Sequence, residues 1–279
     1  MVRIIADSTC DLPDEMMAEM DITVIPLKVS IGGMTYDDKS EVTTVDLFRM
    51  VQELDEMPVT AAPSPEQYRA AFAEAVDAGD SVLCFTISSQ LSGSYQSACV
   101  AANMVQGKVD VIDTRTAAEG SGMAVLQAWR MMQQGASHEA IAAECRRAIG
   151  KRRTLIVLDT MEYLRRGGRI SSVTAKMASV LNIKPIINVN HDGTNSVFHK
   201  SRSYSKAMDW VLDYVIETAR DLKNQTIGVG YSSVCQPAKE FIARLSRVVQ
   251  VKEIILGTIG SVVGTHIGPD AFGVFWEEQ

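Results

Sequence analysis

Apolar residues gather along this chain in short unbroken runs, and between the runs they recur at helical spacing. Unbroken runs are the mark of strands buried on both faces, and the helical recurrence is that of helices packed on one side, so the chain reads as α/β. Residues 2–6 form a first strand, and Pro13 followed by Asp14 and Glu15 opens a helix. Residues 22–31 and 34–36 flank Gly32-Gly33, which predicts a two-residue hairpin. On 44–54, Val45, Leu47, Phe48, Val51 and Leu54 share one helical face. After the connector 58–63, Ser64, Pro65 and Gln67 supply an N-cap, a proline at the first helical position and a capping box. Residues 81–87 and 109–113 are apolar strands with a helix between them, a β-α-β unit that requires a parallel pair and a right-handed crossover.

Helices over 119–134 and 137–149 close the first half, and the basic Lys151-Arg152-Arg153 leads into a strand over 154–158. A domain boundary is placed near residue 150, giving domains 1–150 and 151–279. The second half adds a strand at 183–189, a turn at His191-Asp192-Gly193, a return strand to His199 and a helix over 203–222. Strand 227–231, helix 237–248, strand 251–256 and a last strand 272–276 complete it.

Composition narrows the function. At 279 residues the chain has room for two domains and one cleft. A net charge of −7 disfavours nucleic acid and allows at most transient contact with an anionic membrane surface. Cys10, Cys84, Cys99, Cys145 and Cys235 are odd in number and never spaced as C-x-x-C, so neither a disulfide framework nor a zinc site is expected. With no signal-like start and no apolar run long enough for a bilayer, the expected location is the cytoplasm.

Three segments carry candidate chemistry. Residues 86–95 set four serines and Gly93 between a buried strand and a helix start, a place that favours an anion, although serines there also simply cap the helix. The spacing is neither a P-loop nor G-x-S-x-G. Residues 257–269 hold four glycines and His266, which reads as a tight loop with exposed N–H groups. His266 is open to a role as donor, base or structural group. Leu164-Arg165-Arg166-Gly167-Gly168-Arg169 combines a helix stop with three arginines, either a solvated surface or a site for an acidic partner. A serine hydrolase or acyl transferase using Ser92 and His266 is the alternative reading, without a visible third orienting group.

Taken in order, these segments resemble the DegV family of bacterial fatty-acid-binding proteins. The resemblance runs through Asp7-Ser8-Thr9-Cys10-Asp11-Leu12-Pro13, Ile25-Pro26-Leu27 with Gly33 and Tyr36, and Thr60 with Pro63-Ser64. It continues in Ile87-Ser88-Ser89, Leu91-Ser92-Gly93-Ser94-Tyr95, Val111-Ile112-Asp113, Tyr163-Leu164-Arg165-Arg166-Gly167-Gly168-Arg169-Ile170 and Ile183-Lys184-Pro185-Ile186. Gly260-Ser261, Gly264, His266 and Gly268-Pro269 end it.

The resemblance implies a two-domain DegV-like α/β fold, with a Rossmann-like parallel sheet first, a mixed sheet second and the ligand at their interface. It implies no cofactor and one bound long-chain acid of the palmitate, stearate or oleate type. The carboxylate would be held by Thr60, Ser92, the Gly93 N–H and His266, with Arg202 close by. Ala61 and Ala62 depart from the family's Ser and Gln, and Asp270 from its Gly. Such proteins are carriers, not catalysts, and present the acid to a fatty acid kinase that makes the acyl phosphate. Arg169, with Arg165 and Arg166, is then the expected kinase-docking cluster. Residues 172–181, with Ala175, Met177, Ala178 and Val180, are expected to line the acyl tunnel, although the same pattern suits plain core.

Overall fold

The run Ile4-Ile5-Ala6 leaves no polar face, and in the computed structural model, which describes residues 1–170 and 183–278, it lies in a central strand. That strand, β1 (Val2–Asp7), is flanked by β2 (Thr23–Ile25) and β6 (Ser81–Thr86), with β7 (Val109–Asp113) beyond. All pairs in this sheet are parallel. Residues 22–31, read as one strand, divide at Pro26: β2 joins the parallel sheet, while β3 (Lys28–Ile31) turns at Gly32-Gly33 into β4 (Met34–Asp37). Proline cannot donate to a ladder, so the chain leaves one sheet and begins another there. The third member of this small antiparallel sheet is β5 (Val59–Ala61), which pairs Thr60 with Val29.

Helices α1 (Asp14–Glu19), α2 (Thr44–Leu54), α3 (Pro65–Asp77), α4 (Ser94–Ala102), α5 (Glu119–Gln133) and α6 (His138–Ile149) complete the first half. The capping box of α3 is present: the Ser64 Oγ accepts from the Gln67 N–H, and Gln67 Oε1 accepts from the Ser64 N–H. The second half builds a six-stranded mixed sheet in the order β10 (Asn195–Ser201), β9 (Lys184–Val189), β8 (Arg152–Val157), β13 (Phe272–Glu277), β11 (Thr226–Tyr231), β12 (Glu253–Thr258). Only β11 and β12 pair in parallel. Helices α7 (Glu162–Gly167), α8 (Tyr204–Thr218), α9 (Gln236–Val248) and α10 (Ser261–Ile267) belong to this half.

Two helices join the halves. Every residue of α5 from Glu119 to Leu126 is buried, and the helix touches β1 and β6 on one side and β8, β11 and β13 on the other. The second is α10, in the glycine-rich stretch that reads as a loop. Glycine weakens an isolated helix, but all of α10 except His266 is buried, and packing against α2, α7, β3 and β5 outweighs propensity. Asp38 fixes its start: the carboxylate accepts from Ser261 Oγ (2.6 Å), the Val262 N–H (3.3 Å) and Ser8 Oγ (2.7 Å). Residues 172–181 lie outside the described residues. Among the described residues, no helix is long and apolar enough to cross a membrane.

Candidate head-group site and apolar cavity

Where β5, the β6–α4 loop, α7 and α10 converge, they enclose a cavity of about 90 Å³. Its wall is mostly aliphatic: Leu27, Ile87, Leu91, Ile156, Leu164 and Ile267 are among its lining residues. One patch of the wall is polar and gathers Thr60, Ser92, Gly93, His266 and Arg169. Four stretches of chain that lie far apart in sequence thus meet at one spot.

Thr60 points across from β5 to α10, its Oγ1 2.9 Å from His266 Nε2. The other ring nitrogen is buried without a partner among the described residues and lies against Gly167, where an added methyl group would come within 2.2 Å of Nδ1. Glycine at that position is what admits the imidazole. Burial first, and the nearby Arg169 guanidinium second, push the His266 pKa down to about 4. At neutral pH the ring is therefore uncharged, and the positive charge of the patch resides on Arg169.

Ser92 Oγ sits 3.0 Å from Ser94 Oγ, and the Ser94 N–H donates to it at 3.3 Å. The loop is pinned by Ser88, whose Oγ donates to the Gly193 carbonyl across the seam. His266 is bonded to Thr60 and not to Ser92, so no nucleophile–base pair is formed, and no carboxylate orients Nδ1.

Arg169 is half-buried, with Nε donating to the Leu91 carbonyl (3.2 Å) and Nη1 to the Gly167 carbonyl (2.7 Å). It stands in the cavity wall, whereas Arg165 and Arg166 are exposed on α7 and both pair with Glu162. Arg202 is exposed just after β10 and is not among the described residues that line the cavity, whereas Arg169 is. Ala61 and Ala62 line the cavity as apolar groups. Asp270 has φ 57°, a conformation that suits glycine, and it is held there by Ser233, whose Oγ donates to its carboxylate (3.0 Å) and accepts from its N–H (2.9 Å). These bonds hold an aspartate in a conformation that favours glycine, the residue the resemblance leads one to expect here.

A second polar cluster lies under the seam. Burial lifts the Asp7 and Asp11 carboxyls to about 6 against the pull of their partners, chiefly Thr9 for Asp7 and Lys39 for Asp11. Glu119 is fully buried, both its oxygens lack partners, and they lie over Gly230 and Gly257, where an added Cβ would come within 2.1 and 2.6 Å. Burial, with Asp11 adding to it, raises the Glu119 pKa well above the usual carboxylate value. Sequence reasoning singled out neither Glu119 nor the wall position of Arg169. Among the described residues no group of three or more metal-ligating side chains is found.

A family model described as "Uncharacterised protein, DegV family" matches residues 1–279. The chain belongs to the DegV family. A DegV domain-containing protein of Caldanaerobacter subterraneus is 34% identical over 279 residues, spanning 100% of this chain and 99% of the relative. Among solved structures, a fatty-acid-binding DegV family protein from Thermus thermophilus is 32% identical with a TM-score of 0.94, covering 100% of this chain and 99% of its own. A stearic-acid-binding protein from Eubacterium ventriosum is 28% identical with a TM-score of 0.90, covering 100% and 98%. The fold of these DegV proteins, a parallel sheet and a mixed sheet with helices, is the fold described above.

Proposed function

We propose that this DegV protein binds one long-chain fatty acid, with the carboxylate at Thr60, Ser92, Gly93, His266 and Arg169 and the acyl chain in the aliphatic cavity. The observation that carries this reading is a cavity with a mostly aliphatic wall in which Thr60, Ser92, His266 and Arg169 supply hydroxyl, imidazole and guanidinium groups. A carboxylate there replaces water with hydroxyl donors and one guanidinium, which offsets its desolvation. The fatty acids bound by the related proteins of Thermus and Eubacterium support the same ligand class. Native mass spectrometry of protein purified from cells should show a co-purified acid of palmitate, stearate or oleate size. A protein that stays empty even when such acids are added would defeat the reading.

The polar groups set orientation more than affinity. Thr60→Val removes one donor and frees His266 Nε2, and should weaken binding less than tenfold, about 1 kcal/mol, by displacement of a fluorescent acid. A change of several orders of magnitude would contradict this division of labour.

The acid would be handed, in the cytoplasm, to a kinase that phosphorylates its carboxyl group. Arg169 reaches the head-group patch from the same turn that displays Arg165 and Arg166, so a partner that docks on α7 arrives beside the carboxylate. Replacing the exposed pair, Arg165→Ala with Arg166→Ala, is expected to change acid affinity by less than about tenfold while strongly lowering acyl-phosphate formation with a fatty acid kinase. Equal losses in both assays would remove the docking role. The unformed Ser92–His266 pair gives the hydrolase reading no support.

A further inference from the structure

The register of the second sheet puts an unexplained polar group in the apolar cavity. Val189 on β9 pairs directly with Asn195 on β10, and Thr154 on β8 stands one step beyond the Leu155–Asn188 pair, so Thr154, Val189 and Asn195 form one row across three strands. All three line the cavity. The Thr154 hydroxyl is accounted for by Thr116 Oγ1 at 3.0 Å.

Asn195 is not. It is 9% exposed, its Nδ2 donates to the Arg169 carbonyl at 3.0 Å, and that bond fixes which end of the amide is which. The Oδ1 is buried with no hydrogen-bond partner among the described residues. A plain alkyl chain cannot satisfy it, and an unpaired buried acceptor is destabilising. Valine or leucine would suit a hydrocarbon better at this position. What the group lacks is a donor, and Asn195 is part of the wall against which a bound ligand would lie.

We infer that the cavity is adapted to a hydroxylated long-chain fatty acid whose O–H donates to Asn195 Oδ1. This rests on the fatty-acid reading of the cavity and specifies the class of acid. The bond from Asn195 to the Arg169 backbone keeps the amide close to the arginine that faces the carboxylate, so the hydroxyl belongs on the carboxyl-proximal part of the chain. A hydroxyl placed elsewhere would be buried against aliphatic groups and would weaken binding.

Delipidated protein and its Asn195→Leu variant should be titrated with stearic acid and with a positional series of monohydroxystearic acids. One carboxyl-proximal isomer is expected to bind the unaltered protein about 5- to 100-fold more tightly than the other isomers. Asn195→Leu should abolish that preference. Because the preference is a ratio within each protein, a general loosening by the substitution cancels; if the leucine variant does not fold, Asn195→Ala gives the same comparison. If stearic acid binds but no isomer is preferred, a trapped water satisfies Oδ1 and the inference falls while the fatty-acid reading stands. A preference that persists in the variant overturns it too, and failure of stearic acid itself to bind takes both readings down.

Discussion

Glu119→Gln should make the protein progressively more stable than the unaltered chain as pH rises above 4.5. In the folded protein the buried Glu119 carboxyl keeps its proton because its pKa is held well above the usual glutamate value of 4.5, whereas in the unfolded chain it ionises near that value. Between those two pKa values the native state binds one more proton than the unfolded state, so stability is complete below 4.5 and is lost as pH climbs toward the folded pKa. The loss is about 1.4 kcal/mol per pH unit within the window. Glutamine has the shape of the protonated acid and cannot ionise, so the variant escapes the decline. Asp7 and Asp11, also raised, titrate in both proteins and largely cancel in the difference. Denaturant unfolding at a series of pH values would show the two stability curves diverging; parallel curves would mean that Glu119 finds a cation or water in solution.

Shortening the bound acid should reduce affinity far more than any single head-group substitution. Each methylene moved from water to the cavity contributes about 0.8 kcal/mol, so a chain of some fourteen methylenes gains on the order of 11 kcal/mol before ordering costs. Going from sixteen carbons to ten removes about 5 kcal/mol, a loss of roughly 3,000-fold in affinity. Calorimetric or displacement titrations across a chain-length series should give a near-constant factor of about fourfold per carbon. A flat series, with affinity set by the carboxylate alone, would show that the aliphatic wall does not receive the chain.

Much of the fold can be read in the chain because local signals there agree with the tertiary structure. The β6–α4–β7 unit and the capped start of α3 are of this kind, since Ser64, Pro65 and Gln67 satisfy the helix end whatever surrounds it. Reading fails where distant contacts decide. Four glycines argue for a loop over 257–269, yet burial of Val262, Val263 and Ile267 and the bonds from Asp38 turn seven of those residues into a helix. Pro26 is visible in the sequence, but that it separates two sheets depends on which partners β2 and β3 find. At the head-group patch, Thr60, Ser92, Gly93 and His266 are brought together as the resemblance implies, while Arg202 stays outside and Arg169 enters. No local pattern tells an arginine that docks a partner from one that turns inward, because the difference is set by carbonyls of Gly167 and Leu91 that only the fold brings within reach. Asn195 gives no signal at all, since its meaning comes from the row it shares with Thr154 and Val189.

Helix α5 has a consequence for how the molecule holds together. The two sheets pack on opposite sides of this one helix, with Ala124, Val125 and Leu126 in the core of the first and Met123 against Ile156 and Phe275 of the second. Cut the chain between α6 and β8, and the first piece keeps a helix with one bare apolar flank while the second loses the element its sheet rests on. The change of sheet near residue 150 is thus a boundary that α5 spans. The two halves should therefore melt in a single calorimetric transition, and two separate transitions would mark them as independent domains.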